Sequence, residues 1–129
     1  MAQSNVDLHT PENRQRLAKM VLCLFDHWEL DFKDQAALLG LSGKNRDTLY
    51  RYRNGYPLAD RQDLLGRAGH LLCIHKSLRQ VFPPNADLAH RWITQPNRRF
   101  DSATPLDIMK KGYEGIMAVR RYLDYEREL

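Results

Sequence analysis

Apolar residues recur at spacings of three and four along most of the chain. Leu17, Met20, Val21, Leu24, Phe25 and Trp28 form one such stripe, the mark of an amphipathic helix with one face in a core. Thr10-Pro11-Glu12 marks its start, with a capping threonine, a proline at the first helical position and an early carboxylate. His27 lies beside the stripe, and a lone histidine there reads as structural. Ahead of it, Met1 to His9 is polar and aperiodic and reads as a mobile tail. Ala36, Leu38 and Leu39 give a shorter second helix its apolar side. The longest helix is expected from Arg61 to about Val81, capped by Asp60, with a stripe of Leu64, Leu65, Ala68, Leu71, Leu72, His75 and Leu78. Gly66 and Gly69 weaken it by up to ~1 kcal/mol each relative to alanine and suggest close approach of another helix or chain. Phe82-Pro83-Pro84-Asn85 ends it, because proline cannot continue a helix.

A short helix follows over Ala86–Thr94, with Leu88, Ala89, Trp92 and Ile93 inward, and stops at Pro96-Asn97. After a loop from Arg98 to Ala103, Thr104-Pro105 opens another short helix, Leu106–Lys111, that ends at Gly112. The last helix runs from Tyr113 towards the carboxyl end on a core line of Ile116, Val119 and Leu123. No stretch alternates with a period of two and no hairpin turn is present, so the fold class is all-α.

Within this pattern the stretch QAALLGLSGKNRDTLYRYRNG, residues 35–55, stands out. A short helix is broken at Gly40-Leu41-Ser42, where glycine suits a left-handed helix exit and serine suits a cap. A second helix ends at Asn54-Gly55. Two short helices about a glycine-containing turn, the second one basic, form a helix-turn-helix pattern. At about 100° per residue, Leu49 and Tyr52 share one side, with Asn45 near them. Lys44, Asp47, Tyr50 and Arg51 share the other, flanked by Arg46 and Thr48. From Lys44 to Arg53 four cations face Asp47 alone, which suits a phosphate-facing surface. Arginine is also the common bidentate reader of guanine. The candidate DNA-binding residues are Lys44, Arg46, Asp47, Thr48, Tyr50, Arg51 and Arg53. The same residues equally suit a solvated basic face with an Asp47–Arg51 pair at i,i+4. Five residues, Gly43 to Asp47, separate Ser42 from Thr48; the tighter form of this motif has fewer, which implies that the second helix either starts late or enters a groove at another angle.

Composition adds boundaries. With 129 residues, 43% apolar and 28% charged, the chain suits one folded domain or two small ones sharing a core. A formal charge of +4 permits an anionic partner without demanding one. Cys23 and Cys73 are the only cysteines. On apolar helix faces, without a cleavable signal segment, they read as buried free thiols in a reducing cytoplasm. No apolar run approaches the ~20 residues of a membrane span. There is no glycine-rich phosphate loop, nucleophile elbow or HExxH, so no enzyme and no cofactor are expected. His70, Cys73 and His75 do not converge on one helix face, so no metal is expected either.

The carboxyl half carries a longer pattern. RYRNGYPLADRQDLLGRAGHLLCIHKSL (51–78) leads from the helix-turn-helix into the long helix. FPPNADLAHRWITQPNRRFDSATPLDIMKKG (82–112) presents Trp92, Pro96-Asn97, Phe100, Thr104-Pro105-Leu106 and Gly112 in succession, and GIMAVRRYLDYEREL (115–129) closes the chain. From about Trp28 to Leu129 the sequence resembles the Xre/MbcA/ParS antitoxins, whose carboxyl-terminal domain binds a RES-domain toxin. The resemblance implies a tail at 1–9, an Xre-like helix-turn-helix domain over 10–59 and a toxin-binding helical domain over 60–129. It implies that the first domain binds the operator of its own operon as a homodimer. The second would hold a toxin that attacks NAD or transfers ADP-ribose from it, blocking the toxin's nucleotide pocket sterically with the terminal helix. Carried over, that points to Arg120, Arg121, Tyr122, Tyr125, Arg127 and Leu129. The residues alone also fit a solvated terminal helix with Arg120–Asp124 and Arg121–Tyr125 pairs. Two other readings stay open: a stand-alone helix-turn-helix regulator whose carboxyl unit dimerises or binds another partner, and an interaction module without a DNA role.

Overall fold

A computed structural model describes residues 7–42, 46–82 and 91–128. Among these there are six α-helices and no strand. α1 is Pro11–His27, α2 Phe32–Leu39, α3 Arg46–Arg53, α4 Gln62–Val81, α5 Pro105–Met109 and α6 Tyr113–Arg127, with a 3-10 turn at Arg98–Phe100. Several helix stops and starts have a clear physical cause. Thr10 caps α1, its hydroxyl accepting from the Asn13 amide at 3.2 Å. Asp31 caps α2 the same way through Asp34, at 2.8 Å. Gly40 ends α2 at φ 72°, a conformation that costs glycine nothing. Thr104 caps α5 through the Asp107 amide at 3.0 Å. α3 is described from Arg46; residues 43–45, on which the expected late start turns, lie outside the described residues. The Phe82-Pro83-Pro84-Asn85 stop and the Ala86–Thr94 helix lie largely outside the described residues, although Arg91-Trp92 is helical and Ile93 is buried.

One apolar core runs through both halves. Phe25 and Trp28 from α1, Leu38 and Leu39 from α2, Leu64, Leu71, Ile74 and Leu78 from α4, and Met109 and Ile116 from α5 and α6 are all essentially inaccessible. α4 is the shared spine: it packs on α1 and α2 on one side and on α6 on the other. Gly66 permits part of this, because a Cβ there would collide with the Tyr113 ring of α6. Gly69 has open space above it, so only the first of the two glycines answers to close approach. Arg67 bridges α4 to the end of α2, its guanidinium lying against Gly40 while it pairs with Asp63 at 3.0 Å. Lys110 ties the end of α5 back to Asp34 of α2 at 2.9 Å.

Five expectations need correcting. Met20 is 54% exposed, because α1 packs through Leu17, Val21, Leu24 and Phe25 and turns residue 20 to the far side of that stripe. On α4, Ile74 is fully buried, while Leu72 and His75 are only half-buried. The long helix is covered on two sides, so its buried arc is wider than one stripe. Cys23 is exposed and Cys73 half-buried, so neither is a buried thiol. Asp60 does not cap α4: the helix begins at Gln62 with Arg61 at the cap position and no side-chain bond there. Asp60 instead meets His9 Nδ1 at 2.6 Å. That contact and the bond from Arg14 Nε to the His9 carbonyl at 3.0 Å anchor His9, so the tail ends short of it; residues 1–6 lie outside the described residues.

Candidate functional site

Two surfaces carry the predicted site residues. On the first, α3 is held by Leu49 and Tyr52, 5% and 7% exposed, against α1. The opposite face presents Asp47, Tyr50 and Arg51, all exposed. No ion pair joins Asp47 to Arg51, so the i,i+4 pairing is absent among the described residues. Thr48 is half-buried at the boundary. The other two described cations are turned away from this face. Arg46 lies over the Phe32 ring of α2, 4.7 Å from its centroid. Arg53 pairs with Asp26 of α1 at 2.7 Å; two residues beyond Arg51 it sits about 200° round the helix. Of the candidate DNA-binding residues, Asp47, Tyr50 and Arg51 thus face outward as the helical angle predicts, Arg46 and Arg53 are engaged with α2 and α1, and Lys44 lies outside the described residues.

Sequence reasoning missed a neighbouring feature. A cleft of about 520 Å³ lies between α1 and the end of α3, lined by Gln15, Arg16, Lys19, Tyr52, Arg53, Asn54 and Gly55. Arg16 and Lys19 recur at i,i+3 on the polar side of α1, which was a legible signal. That α3 ends beside them was not.

The second surface is built on α6. Ile116, Val119 and Leu123 are buried as predicted. The outward residues, however, are mostly engaged within the chain. Arg120 contacts His70 Nδ1 of α4, and His70 Nε2 lies 3.0 Å from the Tyr113 hydroxyl. Arginine only donates, so His70 accepts at Nδ1, is neutral, and donates from Nε2. Burial, with the Arg120 charge beside it, holds its pKa below the ordinary value. Arg120 also reaches Asp124, at 3.9 Å. Tyr122 stacks on Trp92 with ring centroids 6.0 Å apart and 3° between planes, meets Phe100 edge-on, and donates to Glu126 at 2.6 Å. Burial, then Glu126, raises its pKa. Arg127 donates to Gln80 at 2.7 Å and to Asp124 at 3.3 Å. Arg121 is exposed and Tyr125 is 55% exposed; these are the free members of the set. Leu129 lies outside the described residues. Of the six predicted toxin-binding residues, Arg120, Tyr122 and Arg127 are thus corrected to groups that also hold the fold.

Beside this surface, Asn97 organises a tight loop. Its side chain accepts from the Arg99 amide at 2.9 Å, its carbonyl accepts from Phe100 and Ser102, and its amide donates to Ala103. Asp101 and Ser102 sit at φ 55° and 69°, uncommon for residues with side chains. Among the described residues no group of three or more His, Cys, Asp or Glu could hold a metal ion, and no helix is long and apolar enough to cross a membrane.

Comparison with known proteins places this arrangement. Residues 77–128 match the antitoxin Xre/MbcA/ParS C-terminal toxin-binding domain. A Sinorhizobium fredii relative, "Uncharacterized protein y4oB", is 38% identical over 103 residues, covering 79% of this chain and 77% of its own. In the crystal structure of the M. tuberculosis MbcT-MbcA toxin-antitoxin complex, one chain superposes with a TM-score of 0.58 at 21% identity, over 87% of this chain and 94% of that one. That likeness is one of fold. The class defined by the helical architecture and its matched carboxyl-terminal domain is the antitoxin of a toxin–antitoxin system. Within that class, the chain belongs to the Xre/MbcA/ParS family.

Proposed function

We propose that the protein binds and sterically blocks a RES-domain toxin that consumes NAD or transfers ADP-ribose, and that it represses its own operon through α2 and α3 as a cytoplasmic homodimer. The amino-terminal unit, 10–59, grips the operator; the carboxyl-terminal unit, 60–129, holds the toxin. No catalytic group or cofactor takes part: inhibition is occupation of a pocket. The observation that carries this reading is the last turn of α6. Inside the matched toxin-binding segment, Arg121 and Tyr125 stand in solvent with no side-chain partner among the described residues, while Arg120, Tyr122 and Arg127 are engaged. Tyrosine and arginine are frequent interface anchors, and a held helix loses little entropy on docking. The similarity to an antitoxin solved with its toxin supports the partner class.

The test is growth rescue on co-expression with a RES-type toxin encoded beside this gene. The full chain should restore growth. A chain ending before Tyr125 should not, although Leu123, the last core residue, remains. Because that chain also loses the Glu126 and Arg127 bonds, Tyr125→Ala, which keeps them, should weaken rescue at an unchanged thermal midpoint. Rescue by the truncated chain would end the pocket-blocking reading. For the operator, Arg51→Ala should weaken specific binding to the upstream fragment by roughly 1–3 kcal/mol and leave toxin binding alone, since Arg51 lies on α3, outside the toxin-binding segment.

A further inference from the structure

The cleft between α1 and the end of α3 has a composition that the operator reading does not use. Three of its lining residues are cations, Arg16, Lys19 and Arg53. Arg53 is matched by Asp26. Arg16 and Lys19 have no ion-pair partner among the described residues. The carbonyl end of a helix ordinarily repels an anion, but here three of its last four carbonyls, those of Tyr50, Arg51 and Tyr52, are occupied. The Tyr50 carbonyl accepts from the Asn54 amide and from Asn54 Nδ2. The Arg51 carbonyl accepts from Tyr56 and the Tyr52 carbonyl from Gly55. Gln15 Nε2 donates to the Gly55 carbonyl at 2.6 Å. With these oxygens occupied, the cleft presents cationic and amide groups outward.

Its position matters as much as its charge. α3 has 8 residues and so spans about 12 Å, close to the ~12 Å width of the major groove. With Asp47, Tyr50 and Arg51 turned to the base edges, the end of α3 at Arg53 and Asn54 comes to the sugar-phosphate strand bordering the groove. We propose that the cleft lined by Arg16, Lys19 and Asn54 is a seat for the backbone phosphates of duplex DNA flanking the groove that α3 enters. The proposal rests on the operator reading and deepens it: α1 sets register by gripping phosphate, and Arg51 reads sequence. A phosphate contact of this kind adds affinity uniformly and carries no sequence information.

The experiment measures binding of the full chain to its upstream fragment and to an unrelated duplex across a salt series. Arg16→Ala/Lys19→Ala should reduce the slope of log affinity against log salt by roughly 0.9 for each phosphate contact given up. It should weaken both duplexes by the same factor, leaving their ratio unchanged. The charge-conserving Arg16→Lys/Lys19→Arg should keep the wild-type slope. Arg51→Ala should instead narrow the ratio between the two duplexes. An unchanged slope in the alanine double variant, with Arg51→Ala still narrowing the ratio, overturns the phosphate seat and leaves the operator reading standing. Wild-type protein that binds neither duplex overturns both.

Discussion

The outward face of α3 follows from helical angle and charge, that of α6 from a family resemblance, and the fold treats the two differently. On α3, the Tyr50 and Arg51 side chains have no partner among the described residues, and the helix is held by Leu49 and Tyr52 from behind, with Arg46 on Phe32 and Arg53 on Asp26. On α6, Arg120 is committed to His70, Tyr122 to the stack on Trp92 and Phe100, and Arg127 to Gln80. The difference follows from position. α3 lies at the edge of the molecule and packs through one side, whereas α6 lies across α4 and beside the Asn97 loop, so three of its sides meet protein. A face with free side chains can be changed at little cost to folding. A face whose side chains also hold the fold cannot, and a substitution there mixes loss of binding with loss of structure.

Substitutions on the second face separate the two roles, and the largest effect lies beneath it. Gly115→Ala should destabilise by about 3 kcal/mol, read as a fall in the urea midpoint. Its Cβ would strike the Ile108 carbonyl, which is backbone and cannot step aside, so the ordinary helical advantage of alanine reverses sign. Gly66→Ala, against the tip of a tyrosine that can rotate, should cost about 1 kcal/mol. A Gly115→Ala chain with wild-type stability would show that α5 and α6 are not packed this closely.

Next in size is Tyr122→Ala. Removing a half-buried ring from the Trp92–Phe100 cluster should cost about 2 kcal/mol, whereas Tyr125→Ala should stay within about 0.5 kcal/mol yet weaken the toxin complex. Equal stability losses at the two tyrosines would erase the distinction between a structural and a free residue on α6.

The smallest effect is on pH dependence. The folded pKa of His70 lies below its ordinary value of 6.5, so the unfolded chain takes up this proton first as pH falls. The stability His70 contributes is therefore complete above that value and declines below it towards the lower folded pKa. His75, lowered by burial and then by His27 and Arg79, acts in the same direction. His70→Gln should flatten the decline in thermal midpoint between neutral and mildly acidic pH. An unchanged profile would mean that Arg120 does not bear on a neutral His70.

Much of the architecture was legible because it depends on neighbours in the chain. The caps at Thr10 and Thr104, the exit at Gly40 and the core line of Ile116, Val119 and Leu123 all follow from periodicity and local hydrogen bonding. Buried arcs were harder. Met20 fits the α1 stripe by spacing yet faces solvent, and Ile74 lies off the α4 stripe yet is inaccessible. Spacing describes one helix, while burial depends on how many others surround it. Asp60 shows the same limit in its polar form: its cap position is taken by Arg61, and a histidine 51 residues earlier holds its carboxylate.

By itself the chain's pattern determined an all-helical molecule, most of the breaks between its helices, and which residues of α3 were candidates to meet a partner; those of α6 came from the family resemblance. Tertiary structure alone decided which of them are free to do so. Contacts such as Arg120 with His70, Tyr122 with Trp92, and Arg16 and Lys19 beside the end of α3 join residues about 30 or more positions apart. No local periodicity encodes such pairings; they form only when α4 brings the two halves against one core.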